Sequence, residues 1–380
     1  MATEVGAALQ RLVDPYNIAA PSVLLPSARP FESEGTTDVT AALDAAARAI
    51  SEHGCPAADV QTEVGRALGA VEARGPVGEA VRDRVLAGIE GRIAGGSAER
   101  TVTPGDDLAE ALAEAPAGAT LLLEAGEYRL SSALVLLDAV TIRGAGRDAT
   151  VLASSAHQAS ILVVADKPVR IADLALARDP GSLGSGIVAG GEASLVLDGV
   201  RLTGARRGQD QGGAGVLLAD AGARAAGRGT TLQADAVEFR DNDWAGLAVT
   251  GAHRVSVLDA TFAGNGQCGV CFFDSASGSI RDSTFTDNLV GLAITGGATP
   301  QVASSTVTGG EVGLQADGDA AATVDGLRIE RATRAAVIVT GAATGAIART
   351  TCDSVPFGIV VGDKAAPTLT DNTCTLVRGT

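Results

Sequence analysis

The sequence predicts a mainly β fold: a right-handed parallel β-helix, a solenoid of about 22-residue coils, with an N-terminal α-helical domain before it. Three observations support this prediction. The C-terminal half carries a repeat, each repeat contains short runs of alternating apolar residues, and glycine, asparagine and aspartate separate those runs. A fixed period of this size is typical of solenoids, in which no single repeat buries its own core.

The repeat is defined by segments that begin with a small residue and continue with alternating apolar positions. They start at Gly246, Gly269, Gly291, Gly313, Ala336 and Gly358. A second apolar series keeps the same step and comprises Phe239, Phe262, Phe285, Val307, Ile329, Cys352 and Cys374. Successive members of both series are 22 or 23 residues apart. Because so short a repeat leaves no room for a helix, each repeat is predicted to form one coil.

Residues 1–96 predict the helical domain. Apolar residues recur with helical spacing over residues 39–50, 60–71 and 81–93. Two glycines, Gly95 and Gly96, are expected to end the last helix. The stretch 21–35 contains three prolines and no apolar period, and is therefore predicted to be an extended connector.

The β-helix is predicted to occupy residues 101–380. Its start reads Val-Thr-Pro-Gly-Asp-Asp-Leu at 102–108 and a short helical stretch, then Gly-Ala-Thr-Leu-Leu-Leu-Glu-Ala-Gly-Glu-Tyr at 118–128 and Val-Thr-Ile-Arg-Gly-Ala-Gly at 140–146. This order resembles the first coils of the pectin-lyase-like superfamily of right-handed β-helices, in which a short helix caps the open end of the solenoid. The resemblance implies a fold and leaves the activity open, because that superfamily contains lyases, hydrolases, epimerases and non-catalytic modules.

Two repeats are longer than the others. The surplus residues lie at about 204–214 and 220–229. Insertions in a solenoid form loops, and such loops often line the binding face.

Composition excludes several classes of partner. The 380-residue chain has a formal net charge of −16, which repels phosphate backbones, so no nucleic-acid partner is expected. No stretch is long and apolar enough to span a bilayer, so no membrane partner is expected either, and residues 1–20 lack the apolar core of a signal peptide. Five cysteines, an odd number, fit a reducing compartment. We therefore expect a cytoplasmic protein that holds no cofactor and no metal.

Several recurring polar and sulfur-containing residues are expected to serve the structure. Asn242, Asn265 and Asn288, spaced by 23 residues, predict a ladder of stacked amides, and Arg201 should pair with Glu238 one coil later. The pair formed by Cys352 and Cys374 is expected to be two buried, stacked thiols, with a disulfide allowed by distance. The Cys-x-x-Cys sequence at 268–271 has no second ligand pair, which argues against zinc.

The outward positions of the glycine-led strands form a mostly apolar stripe that favours a contact surface. The predicted interface residues are Leu217, Ala248, Ala293, Ile338 and Val360. The last coil ends without a capping helix, so its edges are expected to be covered by a partner protein or by a second copy of the chain.

Chemistry-capable residues concentrate around the two insertions. If the protein is an enzyme, the predicted catalytic residues are Arg207, Asp241 and His253, with His253 or an aspartate as general base. The predicted ligand-binding residues are Arg206, Asp210, Arg224, Arg228, Asp243, Trp244, Arg254 and Asp274. Arginines clamp carboxylates or phosphates, and tryptophan stacks on ligands. The structural alternative is a solvated, charged loop.

Two hypotheses about function follow. The first is a binding or assembly module that recognises a protein or a ligand through the apolar stripe and the uncapped end. The alternative is an enzyme, a lyase, epimerase, hydrolase or cyclising isomerase, that acts on a carbohydrate or another polar anionic small molecule at the inserted loops. A sugar ligand fits either hypothesis.

Overall fold

A computed structural model describes residues 99–163, 167–208, 212–219 and 229–378 of the chain. These residues form a parallel β-solenoid of about 11 turns, in which each coil contributes one strand to each of three parallel sheets. The predicted fold class is thereby confirmed for the solenoid. The predicted helical domain at residues 1–96 lies outside the described residues and stays a prediction.

The three sheets are named here in the order in which a coil passes through them. Sheet 1 comprises β1 (Glu99–Val102), β2 (Ala119–Leu123), β5 (Val140–Arg143), β8 (Pro168–Ala172), β11 (Ser194–Asp198), β14 (Thr231–Asp235), β17 (Arg254–Leu258), β20 (Ser277–Arg281), β23 (Thr299–Ala303), β26 (Ala321–Asp325), β29 (Thr344–Ala348) and β32 (Thr368–Thr370). Sheet 2 comprises β3 (Gly126–Leu130), β6 (Thr150–Ser154), β9 (Ala175–Arg178), β12 (Arg201–Thr203), β15 (Glu238–Arg240), β18 (Thr261–Ala263), β21 (Thr284–Thr286), β24 (Thr306–Thr308), β27 (Arg328–Glu330) and β30 (Thr351–Asp353). Sheet 3 comprises β4 (Leu134–Leu136), β7 (Gln158–Val163), β10 (Gly184–Ala189), β13 (Ala214–Leu218), β16 (Ala245–Val249), β19 (Cys268–Phe272), β22 (Val290–Ile294), β25 (Val312–Ala316), β28 (Ala335–Val339), β31 (Phe357–Val361) and β33 (Leu376–Arg378).

The core is a stack of apolar side chains that repeats from coil to coil. Phe239 pairs in register with Phe262, which pairs with Phe285, and all three are buried. Their rings stack face to face with centroids 4.7 Å apart at each step. Alternate residues of a strand point to opposite faces, so one in-register apolar position in each coil is enough to build this column.

A short helix, α1 (Leu108–Glu114), begins the solenoid, as the resemblance implies. The carboxylate of its N-cap, Asp107, accepts hydrogen bonds from the N–H groups of Ala109 and Glu110. This arrangement satisfies backbone donors that lack partners within the helix. Leu108 and Leu112 are buried in the core at this end of the solenoid.

Buried asparagines line the corner between sheet 2 and sheet 3. Asn242 Nδ2 donates to Asn265 Oδ1, and Asn265 Nδ2 donates to Asn288 Oδ1, each over 2.9 Å. The predicted ladder is therefore present. So is the predicted pair across coils, because Arg201 Nε lies 2.8 Å from Glu238 Oε2.

The cysteines differ from the expectation of free thiols. Cys268 is bonded to Cys271, with Cα atoms 5.9 Å apart, and Cys352 is bonded to Cys374, with Cα atoms 5.1 Å apart. The second bond joins adjacent coils, because Cys374 follows Cys352 by 22 residues, the length of one coil. No helix in the described part of the chain has the length and hydropathy needed to cross a membrane.

Candidate active site

The predicted site residues fall on two different corners of the coil. Asp241 and Asp243 lie with Arg206 at the corner between sheets 2 and 3. His253 and Asp274 lie at the corner between sheets 3 and 1. A five-residue strand of sheet 3 separates the two corners, which is a distance of about 16 Å. The residues grouped by sequence therefore do not form one site.

The first of these corners contains a cleft of about 540 Å³. It spans three successive coils and is lined by Thr203, Gly204, Arg206, Asp241, Asn242, Asp243, Gly264 and Gly266. This corner cleft brings two carboxylates and one guanidinium to the same concave surface.

Asp243 is held in place by an arginine. Arg206 Nη1 lies 2.6 Å from Asp243 Oδ1, and the backbone N–H of Arg207 donates to Asp243 Oδ2 over 3.2 Å. Arg206 is itself fixed, because its backbone exchanges two hydrogen bonds with Gly184. The Asp243 carboxylate is therefore oriented and charge-paired before any ligand arrives.

Asp241 has a different environment. It is exposed, and its carboxylate has neither an ion-pair nor a hydrogen-bond partner among the residues that the structure describes. Its backbone is left-handed, with φ of 54°, at a turn position where aspartate is tolerated. The cleft thus presents one paired and one unpaired carboxylate.

Glycines open the cleft on the C-terminal side. Gly264 and Gly266 occupy the turn positions of Asp241 and Asp243 one coil later, 23 residues on in each case. A Cβ at Gly264 would lie 2.7 Å from Asp241 Oδ1, and a Cβ at Gly266 would collide with the backbone oxygen of Asp243. Neither glycine was predicted as a site residue, although aligned repeats place each of them one coil after an aspartate.

Trp244 does not serve as an exposed stacking platform, contrary to the expectation. Its side chain is only 4% exposed and packs against Phe273, with ring centroids 6.1 Å apart. The guanidinium carbon of Arg207 lies 5.9 Å from the Trp244 ring centroid. Arg207 is therefore held as a cation–π partner at the edge of the corner, outside the residues that line the cleft.

His253 is also unsuited to the predicted role of general base. It is fully buried, and its Nδ1 accepts a hydrogen bond of 2.7 Å from the N–H of Thr230. A base must reach the proton that it removes. Because the imidazole is buried and linked to the preceding coil, it does not reach a ligand at the surface in this conformation.

The remaining predicted ligand-binding residues do not lie together at the corner cleft. Arg254 begins β17 and projects from the face of sheet 1. Asp274 accepts a hydrogen bond from the N–H of Gly251 over 3.4 Å in its own corner. Asp210, Arg224 and Arg228 lie outside the described residues.

The apolar stripe is partly covered within the chain. Leu217 and Ala248 are buried, whereas Ala293, Ile338 and Val360 are partly exposed. Only the later coils of the predicted interface therefore present exposed apolar surface.

Within the described ranges, no three His, Cys, Asp or Glu side chains are grouped so that they could hold a metal ion.

Comparison with protein-family models identifies the class of protein. The model described as "Right handed beta helix region" matches residues 180–326 and 245–379, which together exceed half of the chain. The chain therefore belongs to the right-handed β-helix family. No curated protein matches the sequence.

Solved structures agree with this fold. The catalytic domain of a GH87 α-1,3-glucanase in complex with nigerose is similar with a TM-score of 0.53 and 12% identity, over 71% of this chain and 56% of that domain. This chain thus spans little more than half of that glucanase domain. The A-module of the mannuronan C-5 epimerase AlgE6 from Azotobacter vinelandii has a TM-score of 0.45 and 14% identity, over 78% of this chain and 92% of that chain. The PL6 family alginate lyase AlyGC has a TM-score of 0.38 and 14% identity, over 73% of this chain and 39% of that chain. At 12% identity the likeness to the glucanase domain concerns the fold.

Proposed function

We propose that this protein is a carbohydrate-active β-helix enzyme whose active site is the corner cleft. The observation that carries the proposal is the placement of Asp241 and Asp243 in one concave surface, the first unpaired and the second held by Arg206. Hydrolysis of a glycosidic bond typically uses two carboxylates around the reacting centre, and lyase or epimerase chemistry uses a group that exchanges a proton with the sugar.

The two environments suggest separate roles. Asp241 is the proton-transferring group, because its exposed carboxylate is free to contact a sugar oxygen. Asp243 is the second carboxylate, which orients the substrate or stabilises positive charge at the reacting carbon. Arg206 fixes Asp243 and also offers hydrogen bonds to sugar hydroxyl or carboxylate oxygens.

The choice of a carbohydrate rests on the chemistry of the cleft and on precedent for the fold. Hydroxyl, amide, carboxylate and guanidinium groups line the cleft, which suits a ligand with many hydroxyl groups. The similar catalytic domain of a GH87 α-1,3-glucanase forms a complex with nigerose. Hydrolase, lyase and epimerase chemistry all remain within the proposal.

The test is a turnover screen on polysaccharides: α-1,3-glucan, alginate and polygalacturonate. New reducing ends report hydrolysis, ultraviolet absorbance reports the unsaturated ends that lyases form, and proton NMR reports epimerisation. Asp241→Asn should lower kcat by about 100-fold or more, the range for loss of a positioned acid or base. Asp287→Asn is the matched control, because Asp287 is an exposed left-handed aspartate at the same turn position two coils later and does not line the cleft.

The outcomes separate clearly. Loss of turnover in Asp241→Asn and Asp243→Asn, with normal turnover in Asp287→Asn, supports the corner cleft. Wild-type turnover in both cleft variants would place the chemistry elsewhere. Absence of turnover and of binding on all three polysaccharides would overturn the proposed function.

A second candidate function, an assembly module, is favoured by the last coil. Phe357, Leu376 and Val377 are large apolar side chains that are 51%, 46% and 37% exposed there. Apolar groups grouped at a sheet edge suit a contact with another chain. Light scattering tests this function: the purified chain should be larger than a monomer, and Phe357→Ser should shift it toward monomer.

A further inference from the structure

A second concave surface lies on sheet 1, at a distance from the corner cleft. It has a volume of about 590 Å³ and crosses four successive strands, β14, β17, β20 and β23. The corner cleft lies between sheets 2 and 3, so the two clefts share no lining residue. We refer to this surface as the sheet 1 cleft.

The middle of the sheet 1 cleft is a row of uncharged polar side chains. Gln233, Ser256, Ser279 and Gln301 occupy the same outward position in the four strands and pair in register. Adjacent strands of a sheet are about 4.8 Å apart, so this row offers a hydrogen-bonding group at that interval along the solenoid axis. Such a row matches a linear ligand that carries hydroxyl groups at regular intervals.

Two arginines flank the row at opposite ends of the strands. Arg254 begins β17 and Arg281 ends β20, the next strand. Four residues along a strand and one strand spacing place their Cα atoms about 14 Å apart. Both side chains are exposed, and neither has an ion-pair partner among the described residues.

The charge of this cleft is opposite to that of the whole chain. Its lining contains these two arginines and no acidic side chain, although the chain carries a net charge of −16. The other arginines in the strands of sheet 1 are paired: Arg100 with Glu114, Arg143 with Asp173 and Arg170 with Asp198. Among the described residues, the arginines of this sheet that lack an ion pair are therefore the two in the cleft.

We propose that the sheet 1 cleft binds an acidic glycan, a sugar chain that carries carboxylate or sulfate groups and lies along the solenoid axis. The serine and glutamine row donates and accepts hydrogen bonds with the sugar hydroxyls. Arg254 and Arg281 each bind one anionic group, for which a guanidinium provides two parallel N–H donors. This site is a binding surface, since no acid or base lines it. The proposal does not depend on turnover at the corner cleft.

Isothermal titration calorimetry with three glycans of matched length tests the proposal: alginate oligosaccharide, sulfated dextran and unmodified dextran. The protein is the full chain carrying Asp241→Asn and Asp243→Asn, so that the probe is not consumed at the corner cleft. The second variant adds Arg254→Gln and Arg281→Gln. The control adds Arg334→Gln to the same background, because Arg334 is exposed, has no ion pair among the described residues and does not line the cleft.

The expected result is binding of one or both acidic glycans, and the acidic glycan that binds identifies the anionic group. Removing both arginines should weaken this binding by at least about tenfold, the usual effect of losing a charge-assisted hydrogen bond. The Arg334→Gln control should bind like its parent. Three results would overturn the proposal: no binding of either acidic glycan, equal binding of unmodified dextran, or undiminished binding after both arginines are removed. None of these results bears on the turnover test.

Discussion

Replacement of Asn265 by alanine should break the amide ladder at its middle rung. The Asn265 side chain is 1% exposed. Its Nδ2 donates to the carbonyl oxygen of Phe239 over 3.1 Å and to Asn288 Oδ1 over 2.9 Å. Its Oδ1 accepts from Asn242 Nδ2 over 2.9 Å and, at the longer distance of 3.4 Å, from the backbone N–H of Asn242. Alanine removes all four hydrogen bonds, of which three are short, and leaves their partners unpaired in a buried corner.

The magnitude follows from these contacts. Each net hydrogen bond contributes about 1 kcal/mol, and a buried polar group left without its partner adds a cost of about 1–3 kcal/mol. The expected loss in the free energy of unfolding is therefore about 4 kcal/mol. The loss should be concentrated in neighbouring coils, because each repeat of a solenoid contacts only its neighbours.

Urea denaturation followed by circular dichroism measures the total loss in the free energy of unfolding, and hydrogen exchange shows which coils are destabilised. The midpoint should fall, and exchange should accelerate in the coils that contain the ladder before it does in the last coils. Asn372→Ala is the comparison, because Asn372 is partly exposed and makes only two such bonds, to the carbonyl oxygen of Ile347 and from the N–H of Thr350. A loss below about 1 kcal/mol for Asn265→Ala, or an equal loss for both variants, would refute the reasoning.

Three further predictions concern the core and the pairs between coils. Phe262→Ala should lower the free energy of unfolding by about 3–5 kcal/mol, because it removes the middle ring of a buried stack. A denaturation midpoint close to that of wild type would contradict this. Burial favours a raised pKa for Glu238, but the hydrogen bonds from Arg201 and Arg240 outweigh it and lower that pKa. The stability gained from ionised Glu238 is therefore present above the unfolded-state pKa of about 4.5 and is lost as pH falls below it. Glu238→Gln should therefore flatten the fall in melting temperature between pH 5 and 3, and an unchanged slope would contradict the prediction. Cys374→Ser removes the disulfide to Cys352 and leaves the one between Cys268 and Cys271, and it should lower the free energy of unfolding by up to about 3 kcal/mol for a loop of this length. A melting temperature equal to that of wild type would contradict this.

The fold was predictable because every coil repeats the same sequence pattern of strand and turn residues. The 22-residue step, the Asn265 ladder and the pairing of Arg201 with Glu238 all depend on register, and register follows directly from the spacing of residues in the sequence. The presence of short strands and of the cap helix followed in the same way from alternation and from the sequence after Pro104.

The site was less predictable, because turn residues do not alternate. The sequence places His253 and Trp244 in turns, but only the path of the turn and its surroundings decide that both side chains are buried. The burial of Leu217, on the outward face of sheet 3, likewise depends on packing that the strand pattern does not contain.

The sheet 1 cleft was missed for a related reason. Serine and glutamine at outward positions are ordinary sheet residues, and Arg254 and Arg281 lie in different repeats. Their significance depends on the lining of the cleft, which contains no acidic side chain although β14 ends at the exposed Asp235 just outside it, and this becomes visible only when the repeats are aligned in register.

The most direct test of the central claim, that the corner cleft is the site at which a sugar chain is bound and processed, is hydrogen exchange with and without the oligosaccharide that the turnover screen identifies. The protein should carry Arg254→Gln and Arg281→Gln, so that the sheet 1 cleft does not contribute. The account predicts slower exchange at the turns that form the corner cleft, residues 203–207, 241–244 and 264–266. Saturating ligand with unchanged exchange at these turns, and protection only at the last coil, would contradict it.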